Sequence, residues 1–200
     1  MPTLAALGFK LHTGWAMLVA LTGTAAKFEV VLRQRIELLP PQEAIPRFVY
    51  HQAAELSLSQ ATKLVRHAES AAQEAARLAV NEALDQLRAL NFTAKAAGIA
   101  SGSKPVPEDL GVVLRSHPMI HTAEAALFQR ALASACDKCG LAIASVRERE
   151  IWAQAAKASG LKEALLRKRV EELRKSVGAP WGADQKTATA YALLALASHQ

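Results

Sequence analysis

His117, His121 and Glu124 follow one another at intervals of four and three residues. On a helix that spacing puts all three on one face. Two histidines four apart can share a metal ion, with a carboxylate as third ligand. The same set can also work without metal, one imidazole acting as base while Glu124 orients it. A helix starting near Ser116 would add free N–H groups and partial positive charge, which suit a phosphate or carboxylate. The bland alternative is three side chains that hydrogen-bond locally. We carry His117, His121 and Glu124 forward as candidate catalytic residues, assign no metal ligand, and leave the cofactor unknown. A metal would need a further ligand, which His12 or Asp184 could supply only if the fold brings them close.

Two further groups are candidates for binding. Lys10 and His12 fall in the stretch Lys10-Leu11-His12-Thr13-Gly14, read as the turn closing a first hairpin. They could hold an anion together, or form an ordinary polar turn. Trp181, Asp184 and Lys186 stand at the entrance to a last helix, after a Gly/Pro loop from Gly178 to Gly182. A tryptophan on such a loop can stack on a base or plug the end of a core. Asp184 also reads as a helix cap.

Cys136-Asp137-Lys138-Cys139 is a C-x-x-C motif at the predicted C-terminal end of a helix. A redox pair wants the opposite end, where the dipole stabilises thiolate. His121 would lie about 22 Å along the same helix, too far to share an ion. The pair therefore reads as buried side chains. Lys162, Arg167, Lys168, Arg169, Arg174 and Lys175 are interleaved with Glu163, Glu171 and Glu172. That mixing reads as a solvated, salt-bridged face, with a phosphate-contact strip as the alternative.

Bulk properties bound the choice. The chain has 200 residues, 51% of them hydrophobic, enough for one sizeable core. Net charge is +6, permissive for a polyanionic partner. Two cysteines make no secreted disulfide framework. Lys10, the apolar run Trp15 to Leu21 and Thr24-Ala25-Ala26 imitate a signal peptide. The earlier apolar run from Leu4 to Phe9 argues against it. No uninterrupted apolar run reaches the ~18 residues of a membrane span. A cytoplasmic protein without membrane attachment is expected. No P-loop, G-x-G-x-x-G, G-x-S-x-G or H-E-x-x-H is present.

The elements that must position these residues begin with strands. Leu4–Phe9 and Trp15–Leu21 are apolar runs. Phe28, Val30, Leu32, Ile36 and Leu38 then alternate with polar residues, which predicts a strand with one buried and one wet face. Pro40, Pro41 and Pro46 end this meander. His51–Leu90 reads as one long alanine-faced helix, or two broken near Ser57–Ser59. Ala94–Ala100 reads as a strand and Ser101-Gly102-Ser103 as a turn. Pro107-Glu108-Asp109 opens a short helix, and Ser116 caps the next, which Gly140 stops. Leu141–Val146 is a strand, Glu148–Ser159 and Leu161–Val177 are helical, and Asp184 opens a last helix through Leu196. Strands around a helix at 94–146 form a βαβ crossover.

This order resembles the RNase H-like superfamily, and within it the Holliday-junction resolvase branch. Locally, Leu7-Gly8-Phe9-Lys10 followed by Thr13-Gly14-Trp15-Ala16 is similar to that branch's first hairpin, a Gly-apolar-Asp strand end and then Thr-Gly-aromatic. The helix from Asp184 is similar to its closing helix. The resemblance implies an α/β fold with a mixed sheet of about five strands, an antiparallel N-terminal meander plus parallel βαβ, and helices on both faces. One domain would span 1–200, with additional helices within 149–177. It also implies catalytic metal on a first-strand aspartate, but Lys10 takes that place, and the strand ending at Ala100-Ser101 offers no acid. A lysine repels the cations that two-metal cleavage needs. The expectation is a nucleic-acid-associated protein that is not a two-metal nuclease, with Lys10, His12, Trp181, Asp184 and Lys186 as binding residues. The alternatives are a hydrolase-like enzyme using the His/Glu set, or a non-catalytic interaction protein. Enzymatic activity and homo-oligomerisation stay open.

Overall fold

The structure is a computed structural model. It describes residues 2–24, 27–40, 44–102 and 104–199. Ala25, Ala26, Pro41 and Ser103, which entered the sequence reading, lie outside them. Five strands form one sheet: β1 (Thr3–His12), β2 (Trp15–Gly23), β3 (Phe28–Glu37), β4 (Phe92–Ala100) and β5 (Ala142–Val146), in the order β3-β2-β1-β4-β5. β1, β2 and β3 pair antiparallel, while β4 runs parallel to β1 and β5 parallel to β4. β1, β4 and β5 therefore end at the same edge.

Residues on both faces of the central strands are apolar because helices cover both faces. Leu7, Phe9, Ala16 and Leu18 pack with α2 (Leu58–Ala89) and α4 (His117–Lys138). Ala6, Met17, Val19 and Leu21 pack with α8 (Ala183–Ala197). α8 lies directly on the sheet, and two glycines permit this. A Cβ on Gly8 would stand 2.1 Å from Ala188 O, and one on Gly98 2.0 Å from Tyr191 O.

The predicted helix between His51 and Leu90 is two: α1 (Val49–Ala54) and α2. Ser57 starts α2 with a capping box in which it and Gln60 bond reciprocally. Asp109 caps α3 (Leu110–Leu114) through a 2.7 Å bond from Gly111 N. Past β5, a short 3₁₀ turn at Glu148–Glu150 leads into α5 (Ile151–Ser159), α6 (Glu163–Glu172) and α7 (Arg174–Val177). No helix of the described residues is long and apolar enough to cross a membrane.

Three expectations are corrected. Lys10 and His12 are not in a turn: β1 continues through both, pairing them with Met17 and Trp15, and only Thr13-Gly14 turns. The alternation along β3 does not keep one buried face. A register shift pairs Leu21 with Val30 but Ala20 with Leu32, leaving Val31 as the extra residue. Phe28 and Val30 therefore pack on the α8 side, and Leu32, Ile36 and Leu38 on the other. Finally, Gly182, not Asp184, is the cap residue of α8, with its N–H held by Gln185.

Candidate functional site

A cleft of about 700 Å³ opens where β1, β4 and β5 end. This is where ligands bind in open α/β sheets. β1 contributes Leu11 and His12, and the residue before α1 and that helix contribute Phe48 and His51. The segment after β4 supplies Ser101 and Lys104, α4 supplies His121, Glu124 and Gln129, and the segment after β5 supplies Arg147, Glu148 and Arg149.

Glu124 is buried, 5% exposed, and its partners explain why a carboxylate is tolerated there. α1 has Phe48 at its cap position, which offers no side-chain acceptor. Glu124 Oε1, reaching across from α4, accepts from Tyr50 N at 2.8 Å and His51 N at 3.2 Å. It thus does from another helix what a Ser or Asp cap does locally. The same oxygen lies 3.2 Å from His51 Nδ1. A carboxylate there selects the tautomer with hydrogen on Nδ1, leaving Nε2 free as an acceptor. Oε2 is buried without a hydrogen-bond partner among the described residues.

His117 and His121 project from α4 into solvent, and His51 meets both. Ring centroids are 5.7 Å apart for His51 and His117, 4.8 Å for His51 and His121, and 4.4 Å for His117 and His121, all edge to face. One nitrogen from each of the three lies within 4.8 Å of the others. The helical spacing thus brings His117 and His121 together as the sequence predicts. Glu124 stands behind His51 rather than beside them.

Lys10 and His12 lie across the same edge. Lys10 Nζ is 2.7 Å from both carboxylate oxygens of Glu148. His12 Nε2 is 3.0 Å from Asp184 Oδ1, close enough for an ion pair but not aligned as a hydrogen bond. The His12 ring stacks on Trp15 at 4.1 Å, and the Arg35 guanidinium covers Trp15 at 4.1 Å. The opening strand and the closing helix therefore do meet at the cleft edge.

Trp181 and Lys186 do not join them. Trp181 is 6% exposed and donates its indole N–H to Val170 O at 2.7 Å. It plugs the core under α6, which corrects the expectation of a stacking platform. Lys186 is paired with Glu171 of α6. Cys136 is buried, and that burial, with Cys139 adding, pushes its thiol up to about 12. Arg167 of the basic stretch pairs with Glu163 at 2.8 Å and covers Trp152. Burial, helped by the charges of Glu69 and Glu124, pushes the Tyr50 phenol up to about 12, with Arg130 opposing.

Sequence reasoning missed His51, Glu148, Lys104, Arg147 and Arg149. Glu148 and the two arginines follow an apolar strand, a position that signals a cleft edge once the parallel pairing is known. His51 carries no local signal at all.

The chain has an RNase H-like α/β fold, of the kind seen in Holliday-junction resolvases. No protein-family model matches the sequence, and a search of curated proteins finds no match. Among solved structures, Thermus thermophilus RuvC in complex with a Holliday junction substrate matches with a TM-score of 0.53 at 15% identity, over 96% of this chain and 91% of that one. A second Thermus thermophilus RuvC structure matches with a TM-score of 0.53 at 14% identity, covering 95% and 92% respectively.

Proposed function

We propose that this protein binds nucleic acid in the cleft and is not a two-metal nuclease. The observation that carries the second half is the Lys10–Glu148 pair, 2.7 Å to each oxygen. The two-metal chemistry implied by the fold needs free carboxylates converging at this edge. Here Glu148 is engaged by an ammonium, Asp184 Oδ1 stands 3.0 Å from His12 Nε2, and β4 ends at Ala100 with Ser101 next. These residues do not fit a pair of divalent ions.

The first half is supported by charge and by fold. Lys104, Arg147 and Arg149 line the cleft of a chain with net charge +6. Arg149 is 73% exposed, with Glu150 3.7 Å away. Thermus thermophilus RuvC, seen in complex with a Holliday junction substrate, shares the fold over nearly the whole length.

Anisotropy of labelled four-way junction, duplex and single strand, read against salt, tests this. Three phosphate contacts give a slope of log K against log salt of about −3, and Arg149→Ala reduces its magnitude by about 0.9. Absence of binding at low salt removes the nucleic-acid reading. Magnesium- or manganese-dependent cutting of the junction that is lost in Glu148→Gln overturns the nuclease half. A repurposed enzyme is the second reading, favoured by the convergence of His51, His117 and His121. Hydrolysis of phosphoester substrates that disappears in His121→Ala supports it.

A further inference from the structure

We propose that His51, His117 and His121 bind one divalent transition-metal ion of the zinc class, with Glu124 as the positioning residue for His51. The site stands on these side chains alone, whether or not nucleic acid enters the cleft.

Their nitrogens lie within 4.8 Å of one another. Around a tetrahedral zinc ion with bonds of about 2.0–2.1 Å, ligand nitrogens stand roughly 3.3 Å apart. Closing that gap takes small side-chain rotations, and His117 and His121 are exposed and free of the core. An all-imidazole donor set suits zinc, cobalt, nickel or copper, and not magnesium or calcium, which want oxygen. Metal-bound histidines are held through their second nitrogen by a carboxylate or carbonyl, which fixes the tautomer and raises basicity. Glu124 Oε1 at 3.2 Å from His51 Nδ1 is that arrangement, built into a buried carboxylate.

Packing alone does not account for the cluster. The His117 and His121 rings are exposed and bury little, and His51 reaches them from a different helix. Three histidines, with no fourth protein ligand grouped with them among the described residues, leave a coordination position for water or an incoming oxygen, as in catalytic zinc sites. His51 and His121 both line the cleft, so the cluster stands at its wall.

Calorimetric titration of the full chain with zinc ion alone tests the site, with cobalt ion as a spectroscopic probe of tetrahedral coordination. One equivalent is expected to bind. His117→Ala and His121→Ala each weaken binding at least about tenfold, while melting stays near wild type. Glu124→Gln weakens it by about 10–100-fold with stoichiometry retained, the range for groups behind a ligand. Cys139→Ser leaves binding unchanged. Absence of a stoichiometric site overturns the proposal, as does binding that survives both histidine variants or is lost in Cys139→Ser. His117 is exposed, so its variant decides the matter even where Glu124→Gln folds poorly.

Discussion

Replacing Glu124 with alanine removes the side-chain acceptor that, among the described residues, holds the start of α1. Tyr50 N is then buried without a partner, and His51 N loses its bond as well. An orphaned buried donor costs about 1–3 kcal/mol, and hydrogen bonds to charged groups are worth about 1.5–3. Losing a cap costs about 0.5–2 kcal/mol, which overlaps with those bonds. The combined loss is about 3 kcal/mol. For a chain of this size, about 2–4 °C of melting temperature accompanies each kcal/mol, so Glu124→Ala melts about 6–12 °C below wild type. Glu124→Gln keeps a carbonyl that accepts from the same N–H groups and loses about 1 kcal/mol. Calorimetric melts and urea titrations measure both variants. Amide exchange at Tyr50 and His51 is expected to accelerate in the alanine variant while β1 and β4 stay protected. An alanine variant that melts within about 2 °C of wild type refutes the tertiary-cap argument, given the conversion above. So does a glutamine variant as damaging as alanine, because charge rather than an acceptor would then be the requirement.

Two further outcomes follow from packing and ionisation. Gly98→Ala puts a Cβ 2.0 Å from Tyr191 O and 2.5 Å from Tyr191 C, both backbone atoms of α8. The helix must move outward by more than about 1 Å, and a loss of about 3 kcal/mol or more in urea denaturation is expected. Gly102→Ala meets the flexible end of the Gln129 side chain at 3.2 Å and Lys104 O at an ordinary 3.9 Å, and stays within about 1 kcal/mol; equal losses at the two sites refute the close approach of α8. The Tyr50 phenol, raised from 10.0 to about 12, keeps its proton in the folded state after the unfolded chain has released its own. The folded state binds more protons across that window, so stability present below about pH 10 declines toward about pH 12. Burial and the charge of Glu148 raise Tyr191 in the same direction. Urea midpoints across this range are expected to fall, and to fall less steeply in Tyr50→Phe; a decline of the same steepness in that variant refutes the assignment.

The architecture was legible because its signals are local. Apolar runs interrupted at Thr13-Gly14 and Gly23 mark a meander, and Gly140 and Pro118 bound α4. The bulge at Val31 was hidden, since its effect is to swap faces, and alternation in sequence looks continuous through it. The strand through Lys10 and His12 was misread as a turn because polar residues at a cleft edge look like loop residues. Within the site, His117, His121 and Glu124 were legible from helical spacing. Their division of labour was not, because it depends on where α1 lands. His51 reaches α4 only through packing of α1 against it, and Glu124 turns inward to close the start of that helix. Trp181 posed a choice between platform and plug that only the depth of α6 decides.

The two charged arrangements at the cleft edge sort its ligands by sign. A divalent cation placed about 4 Å from the Lys10 ammonium meets a repulsion of about 8 kcal/mol at an effective dielectric of 20, twice that of a unit pair. The Glu148 carboxylate returns at most a similar attraction, and it already faces Lys10. The β1 end of the cleft therefore gives a metal ion no net gain. For an oxyanion Lys10 and Glu148 offset one another as well, and the gain comes from Lys104, Arg147 and Arg149 lining the same cavity, the two arginines being shared with Glu150. The histidine cluster at α1 and α4 offers imidazole nitrogens instead, donors that suit a transition-metal cation. On the two proposals made above, anion and metal are held at different ends of one cleft.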